Sequence, residues 1–293
     1  MSDVNGKVAV LGTGTMGQGI AQICAMTGHA TRLFDVAPDR ARKAVDAIGA
    51  QLDKLVAKGK LAPDAREGAM ARLAPAQAIG AACEGVDVVI EAVPEDMALK
   101  VGLFEEVVRS APRTALLGSN TSSLSLTELG RKIGAAERTV GLHFFNPPPV
   151  MELLEIVRGL STTDETVARA EALAKALGKT AIVVNDVPGF ATSRLGVILG
   201  AEAIRMLEMG VARAVDIDRA MELGYRHPMG PLKLTDLVGL DVRLAILEHL
   251  QRELGEQFRP PPLLRQMVRA GKLGKKSGEG FYVWKDGVPQ PVG

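Results

Sequence analysis

His143 and Glu155 are the residues whose types and spacing best suit proton transfer. His143 opens the run His-Phe-Phe-Asn-Pro-Pro-Pro, and Glu155 follows in the segment Met-Glu-Leu-Leu-Glu-Ile. An imidazole titrates near neutral pH, so it can give or take a proton there. A carboxylate held against its second nitrogen would fix the tautomer and raise the basicity of the ring. Taken alone, a histidine at a strand end is more often a hydrogen-bonded core residue than a catalytic one, so His143 needs support from elsewhere in the chain.

The spacing of this pair predicts a geometry. Positions 143 and 155 are symmetric about Pro149. If the flanking segments are antiparallel strands around a turn at Pro148 and Pro149, the two side chains face each other. A proline loop can also send the second strand elsewhere, so the pairing is a hypothesis. The other histidines are expected in other roles, with His29 and His249 at helix ends on the surface and His227 in a turn.

A glycine-rich segment near the N-terminus predicts a dinucleotide site. Its G-x-G-x-x-G residues are Gly12, Thr13, Gly14, Thr15, Met16 and Gly17. An apolar strand precedes it, a helix follows, and Asp35 ends the next strand. The helix N-terminus offers N–H donors to a pyrophosphate. Asp35 can accept hydrogen bonds from both ribose hydroxyls and would repel a 2′-phosphate, which favours NAD over NADP, although Arg40 nearby leaves dual use open. A glycine turn without a ligand is the alternative.

Composition excludes several classes of protein. The 293 residues suggest two domains or one large one. The 35 basic and 34 acidic side chains nearly cancel, which does not indicate a nucleic-acid-binding surface. Cys24 and Cys83 lack metal-site spacing, so neither a disulfide framework nor a metal site is expected. No apolar run reaches the roughly 18 residues of a membrane span, and the N-terminus leads almost directly into a strand. We therefore expect a cytoplasmic protein that binds no membrane.

Strand and helix patterns alternate through the first part of the chain, which predicts an α/β fold. They indicate a Rossmann-type, doubly wound, mostly parallel sheet over residues 1–186, with a helical insertion near 38–72. Residues 187–293 are predicted to form a helical domain, with helices at about 190–209, 214–223, 231–254 and 262–270. Ser125 with Glu128, and Thr162 with Glu165, have the spacing of capping boxes that open helices.

The polar segment from Ser119 to Ser123 lies between a predicted strand and a capped helix. Such a segment belongs to the carboxyl edge of a doubly wound sheet, where ligands bind. Its hydroxyl and amide side chains suit hydrogen bonds to a substrate oxygen or to a nicotinamide. A role in the turn alone is the alternative.

Several long motifs in order resemble the L-3-hydroxyacyl-CoA dehydrogenase family, in particular its short, single-function 3-hydroxybutyryl-CoA dehydrogenase branch. The resemblance covers essentially the whole chain. Its motifs are the glycine turn at 12–17, Ser-Asn-Thr-Ser-Ser-Leu at 119–124, Gly-Leu-His-Phe-Phe-Asn-Pro at 141–147, Pro-Gly-Phe at 188–190, Tyr-Arg-His-Pro-Met-Gly-Pro at 225–231, and Gly-Lys-Lys-Ser-Gly-Glu-Gly-Phe-Tyr at 274–282.

The resemblance implies reversible oxidation of an (S)-3-hydroxyacyl-CoA to the 3-oxoacyl-CoA with NAD, by a homodimer that forms through the helical domain. It implies that His143 is the general base, that Glu155 orients the base, and that Ser122 binds the reacting oxygen. The cofactor-side positions that match are Glu95, Lys100 and Asn120. The implied substrate-side positions are Asn146, Ser193, Lys54, Lys58 and Lys60, the lysines meeting coenzyme A phosphates unless they are merely solvated.

One position departs from the family pattern. The family often has asparagine where this chain has Ser193, and serine has a shorter reach. This departure weakens or reroutes the fixing of the thioester side of the substrate. Two further functions stay open: a dehydrogenase of a 3-hydroxy acid or sugar acid without coenzyme A, and a non-catalytic NAD-binding protein.

Overall fold

The computed structural model describes residues 6–291, which belong to two compact units that divide between Val187 and Pro188. The N-terminal unit is built on one sheet, and the C-terminal unit is mainly helical. Among the described residues, no helix is long and apolar enough to cross a membrane.

The sheet of the N-terminal unit has eight strands in the order β3-β2-β1-β4-β5-β6-β7-β8. They are β1 (Lys7–Leu11), β2 (Ala30–Phe34), β3 (Leu73–Pro75), β4 (Val88–Glu91), β5 (Leu116–Ser119), β6 (Thr139–Phe144), β7 (Leu153–Arg158) and β8 (Thr180–Asn185). Within this described sheet, β6 and β7 pair antiparallel and the other neighbours pair parallel. The predicted fold class is therefore confirmed, although the sequence patterns did not indicate β3.

Seven helices connect the described strands of this unit. They are α1 (Thr15–Met26), α2 (Arg40–Ala57), α3 (Pro63–Ala71), α4 (Ile79–Cys83), α5 (Met97–Ser110), α6 (Leu126–Lys132) and α7 (Asp164–Ala176). The Ser125 hydroxyl accepts the Glu128 N–H at 3.1 Å and caps α6 as predicted. The predicted cap of α7 is wrong by one residue. Thr163 caps that helix, while the Thr162 hydroxyl donates to the Thr139 carbonyl at 2.7 Å.

The core of the N-terminal unit lies on both faces of the sheet. The central strands β1 and β6 are almost entirely buried, as expected when helices cover both sides of a parallel sheet. Val10 of β1, Ile20 of α1 and Leu154 of β7 belong to the same fully buried cluster. Burial of such side chains stabilises a domain by about 25 cal/mol per Å² of apolar surface. The packed core therefore fixes the strand ends at which the polar residues lie.

The C-terminal unit has five α-helices and a hairpin among its described residues. They are α8 (Thr192–Glu208), α9 (Ala214–Arg219), α10 (Pro231–Val238), α11 (Leu240–Leu254), α12 (Pro262–Arg269), β9 (Tyr282–Lys285) and β10 (Val288–Pro291). The single helix predicted over 231–254 is wrong, because Gly239 has φ of 102° and separates α10 from α11. Only a residue without a Cβ adopts that conformation without strain.

Asp236 fastens the hairpin to the helices of this unit. Its buried carboxylate accepts hydrogen bonds from the Phe281 and Tyr282 N–H groups and from Trp284 Nε1, each at 2.9 Å. Burial raises the pKa of Asp236, and these donors oppose that rise. The Tyr282 hydroxyl also donates to Asp218, a second buried carboxylate, at 2.7 Å. The two buried carboxylates therefore hold the hairpin to the helices through oriented hydrogen bonds.

Asp236→Ala is expected to lower the free energy of unfolding of the C-terminal unit by about 3 kcal/mol or more, since it leaves two buried donors and one half-buried donor without their acceptor. Urea unfolding followed by the fluorescence of Trp284, the single tryptophan, measures it. Asp216→Ala is the control, because it removes an exposed ion pair with Arg213 and should cost less than about 1 kcal/mol. Equal losses in the two variants would contradict the anchoring role of Asp236.

Candidate active site

His143 and Glu155 are directly opposite each other on β6 and β7. Nδ1 of His143 lies 2.7 Å from Oε2 of Glu155, whose exposed fraction is 0%, while 8% of His143 is exposed. The antiparallel geometry predicted from the spacing is therefore present. An ionised carboxylate can only accept a hydrogen bond, so a charged Glu155 selects the tautomer of His143 that is protonated at Nδ1. The Phe145 ring, with its centroid 4.6 Å from that of the imidazole, packs beside the pair.

The proline segment between β6 and β7 is held as an ordered turn. The N–H groups of Val150 and Met151 both donate to the Pro147 carbonyl, at 3.0 and 3.1 Å. Lys179 Nζ donates to the carbonyls of Pro148 and Met151, at 2.7 Å each. These contacts satisfy carbonyl groups of a segment that cannot join the sheet, since proline has no N–H. The turn thereby keeps β6 and β7 in the register that pairs the histidine with the glutamate.

Glu95 organises the loop that carries Ser122. Its Oε1 accepts the Thr121 hydroxyl at 2.6 Å and the N–H groups of Ser122 and Ser123 at 2.9 and 3.0 Å. The Ser122 hydroxyl makes a longer contact with the same oxygen, at 3.4 Å. Burial would raise the pKa of Glu95, but the Lys100 charge and these hydrogen bonds outweigh it and hold the pKa below its usual value. Glu95 is thus a charged anchor for the loop.

Asn120 connects the same loop to the strand of His143. Its Oδ1 accepts the N–H of Phe144, the residue after His143, at 2.9 Å. Its own N–H donates to the Glu91 carbonyl at 2.8 Å. The carboxyl ends of β4, β5 and β6 are therefore joined at one edge of the sheet, which is where ligands bind in doubly wound folds.

A buried charge network lies beneath this edge, and its central residue, Glu91, is not among the site residues predicted from the sequence. Lys100 Nζ lies 2.6 Å from Glu91 Oε1 and 3.3 Å from Glu95 Oε2. The Ser119 hydroxyl donates to Glu91 Oε2 at 2.5 Å. Lys100 is 1% exposed and Glu91 is 0% exposed, so the ion pair offsets part of the cost of removing both side chains from water. The signal in the sequence was a glutamate at the end of an otherwise apolar strand.

The glycine turn fits a dinucleotide. Gly12 has φ of 93°, and a Cβ there would lie 2.6 Å from the Ala92 carbonyl oxygen, while a Cβ on Gly17 would lie 1.8 Å from the Gly12 oxygen. Packing therefore requires both glycines. Gly14 differs, because its φ is −66° and a Cβ would meet nothing within 4 Å. The helix α1 begins at Thr15, followed by Met16, and no side chain caps its N-terminus. An open glycine before an uncapped helix leaves room and donors for a phosphate group.

Asp35 lies beside this turn at the end of β2. Its carboxylate accepts the N–H and hydroxyl of Thr13, at 2.9 and 2.8 Å, and the Ala37 N–H at 3.1 Å. Arg40 Nε is 3.9 Å away and largely exposed. Burial opposes ionisation, but the hydrogen bonds and the Arg40 charge outweigh it and lower the pKa of Asp35. Asp35 is thus a fixed negative charge, and the acceptor position that these three hydrogen bonds leave can take a ribose hydroxyl.

The predicted lysines separate into two groups. Lys54 lines a cavity of about 800 Å³ in the N-terminal unit, together with α1, the proline segment and Lys179. Lys58 and Lys60 are exposed and do not line it. Asn146 is exposed at the start of the proline segment. No group of three or more His, Cys, Asp or Glu that could hold a metal occurs among the described residues.

Ser193 belongs to the other unit and is half-buried in the first turn of α8.

The expectation that His29 is a surface residue is wrong. It is 2% exposed, and its Nδ1 lies 3.2 Å from the Thr27 hydroxyl. His249 and His227 are half-buried in the C-terminal unit.

The sheet order, the glycine turn and the placement of Asp35 define a Rossmann-type dinucleotide-binding protein. Residues 7–187 match the family model described as 3-hydroxyacyl-CoA dehydrogenase, NAD binding domain, and residues 189–284 match the C-terminal domain of the same family. The chain belongs to the 3-hydroxyacyl-CoA dehydrogenase family, and it is an NAD-dependent oxidoreductase.

Known relatives agree with this assignment over nearly the whole chain. A probable 3-hydroxybutyryl-CoA dehydrogenase of Bacillus subtilis is 44% identical over 281 residues, covering 96% of this chain and 98% of that protein. The crystal structure of (S)-3-hydroxybutyryl-CoA dehydrogenase from Ralstonia eutropha superposes with a TM-score of 0.92 at 41% identity, covering 96% and 99% of the two chains. A 3-hydroxyadipyl-CoA dehydrogenase of Escherichia coli is 41% identical, and the match covers 95% of this chain and 59% of that protein.

Asp35→Ala is expected to reduce the ratio of kcat/KM for NADH to kcat/KM for NADPH by about tenfold or more. The substitution removes a charged acceptor for the ribose hydroxyls and the repulsion of a 2′-phosphate. Steady-state assays with both cofactors measure the ratio, and a thermal unfolding curve checks the turn that Thr13 helps to form. Asp39→Asn, a nearby exposed carboxylate, is the control. An unchanged cofactor ratio in Asp35→Ala would contradict the role given to this carboxylate.

Proposed function

We propose that this enzyme interconverts a short-chain (S)-3-hydroxyacyl-CoA, such as 3-hydroxybutyryl-CoA, and the corresponding 3-oxoacyl-CoA. The observation that carries the proposal is the 2.7 Å contact between His143 and the buried Glu155 at the ligand-binding edge of an NAD-binding sheet. Oxidation of a secondary alcohol removes a hydride from carbon and a proton from oxygen. NAD supplies the acceptor for the hydride, and the protein must supply the acceptor for the proton.

His143 is the group that we assign to proton transfer. With Nδ1–H donated to Glu155, Nε2 presents a lone pair to the substrate hydroxyl. It takes the hydroxyl proton as the C–H bond at carbon 3 breaks, and it returns that proton to the 3-oxo oxygen in the reverse direction. Glu155 orients the ring and stabilises the imidazolium that forms, as the carboxylate partner of a catalytic histidine does in other enzymes.

Ser122 is assigned to the reacting oxygen of the substrate. Its present contact with Glu95 is long, at 3.4 Å, so the hydroxyl can rotate toward a better acceptor. Glu95 and Lys100 hold the loop at the cofactor edge, and the side-chain amide of Asn120 can donate a hydrogen bond there while its oxygen stays on Phe144. We assign Asn146 to the substrate because it lies in the motif at 141–147, and Ser193 because it stands where the family often has asparagine.

The coenzyme A portion is assigned to the cavity that Lys54 lines. Its volume of about 800 Å³ is sufficient for a large part of a nucleotide thioester. Lys54 and Lys179 both line this cavity, but the ammonium of Lys179 already donates hydrogen bonds to backbone carbonyls. Lys54 is therefore the phosphate-binding candidate, and Lys58 and Lys60 act at most through long-range attraction.

A homodimer is proposed from the surface of the C-terminal unit, taken by itself. It exposes large apolar side chains that a partner copy would cover, namely Leu195, Leu223, Tyr225, Val238 and Val242.

A cytoplasmic location is proposed from Cys24 and Cys83, which are free buried thiols. A dehydrogenase of a free 3-hydroxy acid is the alternative function, and higher activity with the acid than with its thioester would favour it.

His143→Gln is expected to lower kcat for NADH-dependent reduction of acetoacetyl-CoA by about 10²- to 10⁴-fold, since it removes general acid–base catalysis. The dissociation constant of NADH, measured by fluorescence titration, should stay within about threefold, because His143 does not contribute to the Asp35 site.

His249→Gln is the control for this experiment, because it changes a half-buried histidine of α11 in the other unit. Turnover by His143→Gln equal to that of His249→Gln would remove His143 from the reaction. Glu155→Gln keeps the shape of the pair and removes its charge, so its kcat should fall between those of wild type and His143→Gln.

Lys54→Met is expected to raise KM for acetoacetyl-CoA by about 5- to 20-fold, as the loss of one partly solvated phosphate contact would. KM for acetoacetyl-pantetheine, which has the same acyl group but no nucleotide phosphates, should not change. Lys58→Met is the control, since this lysine lies outside the cavity. An equal rise in KM with both substrates would show that Lys54 acts on the fold and not on the phosphates.

A further inference from the structure

The network around Glu91 holds more negative than positive charge. Lys100 Nζ contacts both Glu91 and Glu95, at 2.6 and 3.3 Å. Glu91 also accepts the Ser119 hydroxyl and the Val93 N–H, at 2.5 and 2.7 Å. It thus accepts three hydrogen bonds and donates none, which is the pattern of an ionised carboxylate. Among the described residues of the N-terminal unit, no second cation makes an ion pair with either carboxylate. Two carboxylates therefore share one ammonium, which leaves a surplus negative charge.

Water screens this surplus charge only weakly. Glu91 and Lys100 are buried, and Glu95 is partly exposed. Burial opposes the ionisation of Glu95, but the Lys100 charge and the hydrogen bonds from the loop hold its pKa below the usual value. Salt and water weaken the field of exposed charges strongly and that of buried charges much less. A ligand held close to the network is therefore subject to its field.

The network adjoins the glycine turn. A Cβ on Gly12 would lie 2.6 Å from the Ala92 carbonyl oxygen and 3.0 Å from Cγ1 of Val93. The two residues that follow Glu91 are thus packed against the turn, and the Val93 N–H joins this segment to the Glu91 carboxylate. A dinucleotide passes over such a turn with its pyrophosphate at the helix N-terminus. The surplus charge therefore lies beside the path of the cofactor.

The strand order decides which half of the cofactor is near the network. On one side of β1 lies β2, which leads to Asp35, the acceptor suited to the adenosine ribose. On the other side lie β4 and β5, which end at Glu91 and Ser119, and then β6 with His143. A dinucleotide spans both halves of a doubly wound sheet. With the adenosine on the Asp35 side, the nicotinamide belongs to the side of Glu91 and His143.

We propose that the surplus charge of the Glu91 network selects the oxidised cofactor, NAD⁺, by attracting the positive charge of its nicotinamide ring. The ring carries one positive charge in NAD⁺ and none in NADH, and the rest of the two molecules has the same charge. A buried negative charge near the ring therefore strengthens the binding of the oxidised form alone. Glu91 is enclosed, so it acts through its field and not by contact. The network thereby biases the bound cofactor toward the form that accepts a hydride.

The test compares NAD⁺ with benzamide adenine dinucleotide, in which a neutral benzene ring replaces the pyridinium ring. Calorimetric titration gives both dissociation constants, and the measured quantity is that of the analogue divided by that of NAD⁺. Effects on folding cancel in this ratio. A unit charge about 10 Å away, at an effective dielectric constant of about 20, changes a binding constant by about tenfold. We therefore expect the wild type to favour NAD⁺ by about tenfold or more. Glu91→Gln, which keeps the shape and removes the charge, should lower the ratio by about tenfold.

Two control variants separate the field of Glu91 from other effects. Glu105→Gln removes an exposed carboxylate of α5, the helix of Lys100, and changes the net charge of the protein by the same amount. Ser119→Ala removes a hydrogen bond to Glu91 without removing its charge. Both should leave the ratio within about twofold of the wild-type value, because neither changes the buried charge.

Weaker binding of both dinucleotides by the same factor in Glu91→Gln would overturn the proposal, since it would show that Glu91 only holds the loop in place. A ratio of one or less in the wild type would also overturn it, and this result needs no variant, so the test stands even if Glu91→Gln does not fold. None of these measurements uses an acyl thioester. Their failure would therefore leave the proposed function unaffected, and loss of that function would leave them unaffected.

Discussion

The antiparallel pairing of β6 and β7 is the constraint on which the site depends. Side chains alternate between the two faces of a sheet, so a slip of one residue would turn Glu155 away from His143. The pairing of Leu142 with Ile156 and of Phe144 with Leu154 holds the register, because these neighbours are buried in the core. The hydrophobic core thus fixes the separation of His143 and Glu155, the pair proposed for proton transfer, and Lys179 on the proline turn adds a polar restraint.

The remaining polar residues at the same sheet edge are held by carboxylates that accept hydrogen bonds from neighbouring residues of the protein. Glu91 holds Lys100 and Ser119, Glu95 holds the loop of Ser122, and Asp35 holds the glycine turn through Thr13. Each carboxylate is satisfied by several donors, which offsets the cost of removing it from water. This arrangement orients the site before any ligand binds, so little reorganisation is left for the reaction.

Much of the architecture could be predicted from local patterns. The glycine turn, the strand before it and Asp35 formed a recognisable unit, and the symmetric spacing around Pro149 was sufficient to suggest the pairing of His143 with Glu155. The errors arose where tertiary packing decides. The break of the long helix at Gly239 depends on a positive φ that an isolated glycine does not reveal. The Glu91 network was missed because its partners are 9 and 28 residues away. The burial of Arg243 depends on how α11 packs, which local sequence patterns do not reveal.

The central claim is that Glu155 fixes the His143 imidazole as the tautomer protonated at Nδ1, with Nε2 available as the base. Nitrogen-15 NMR of imidazole-labelled enzyme tests it most directly, at a pH where the ring is neutral and with His143→Gln used to assign the signals. The account predicts a protonated, hydrogen-bonded Nδ1 and an unprotonated Nε2, and a return toward the tautomer mixture of free histidine in Glu155→Gln. A proton on Nε2 in the wild type, or signals unaffected by Glu155→Gln, would contradict it.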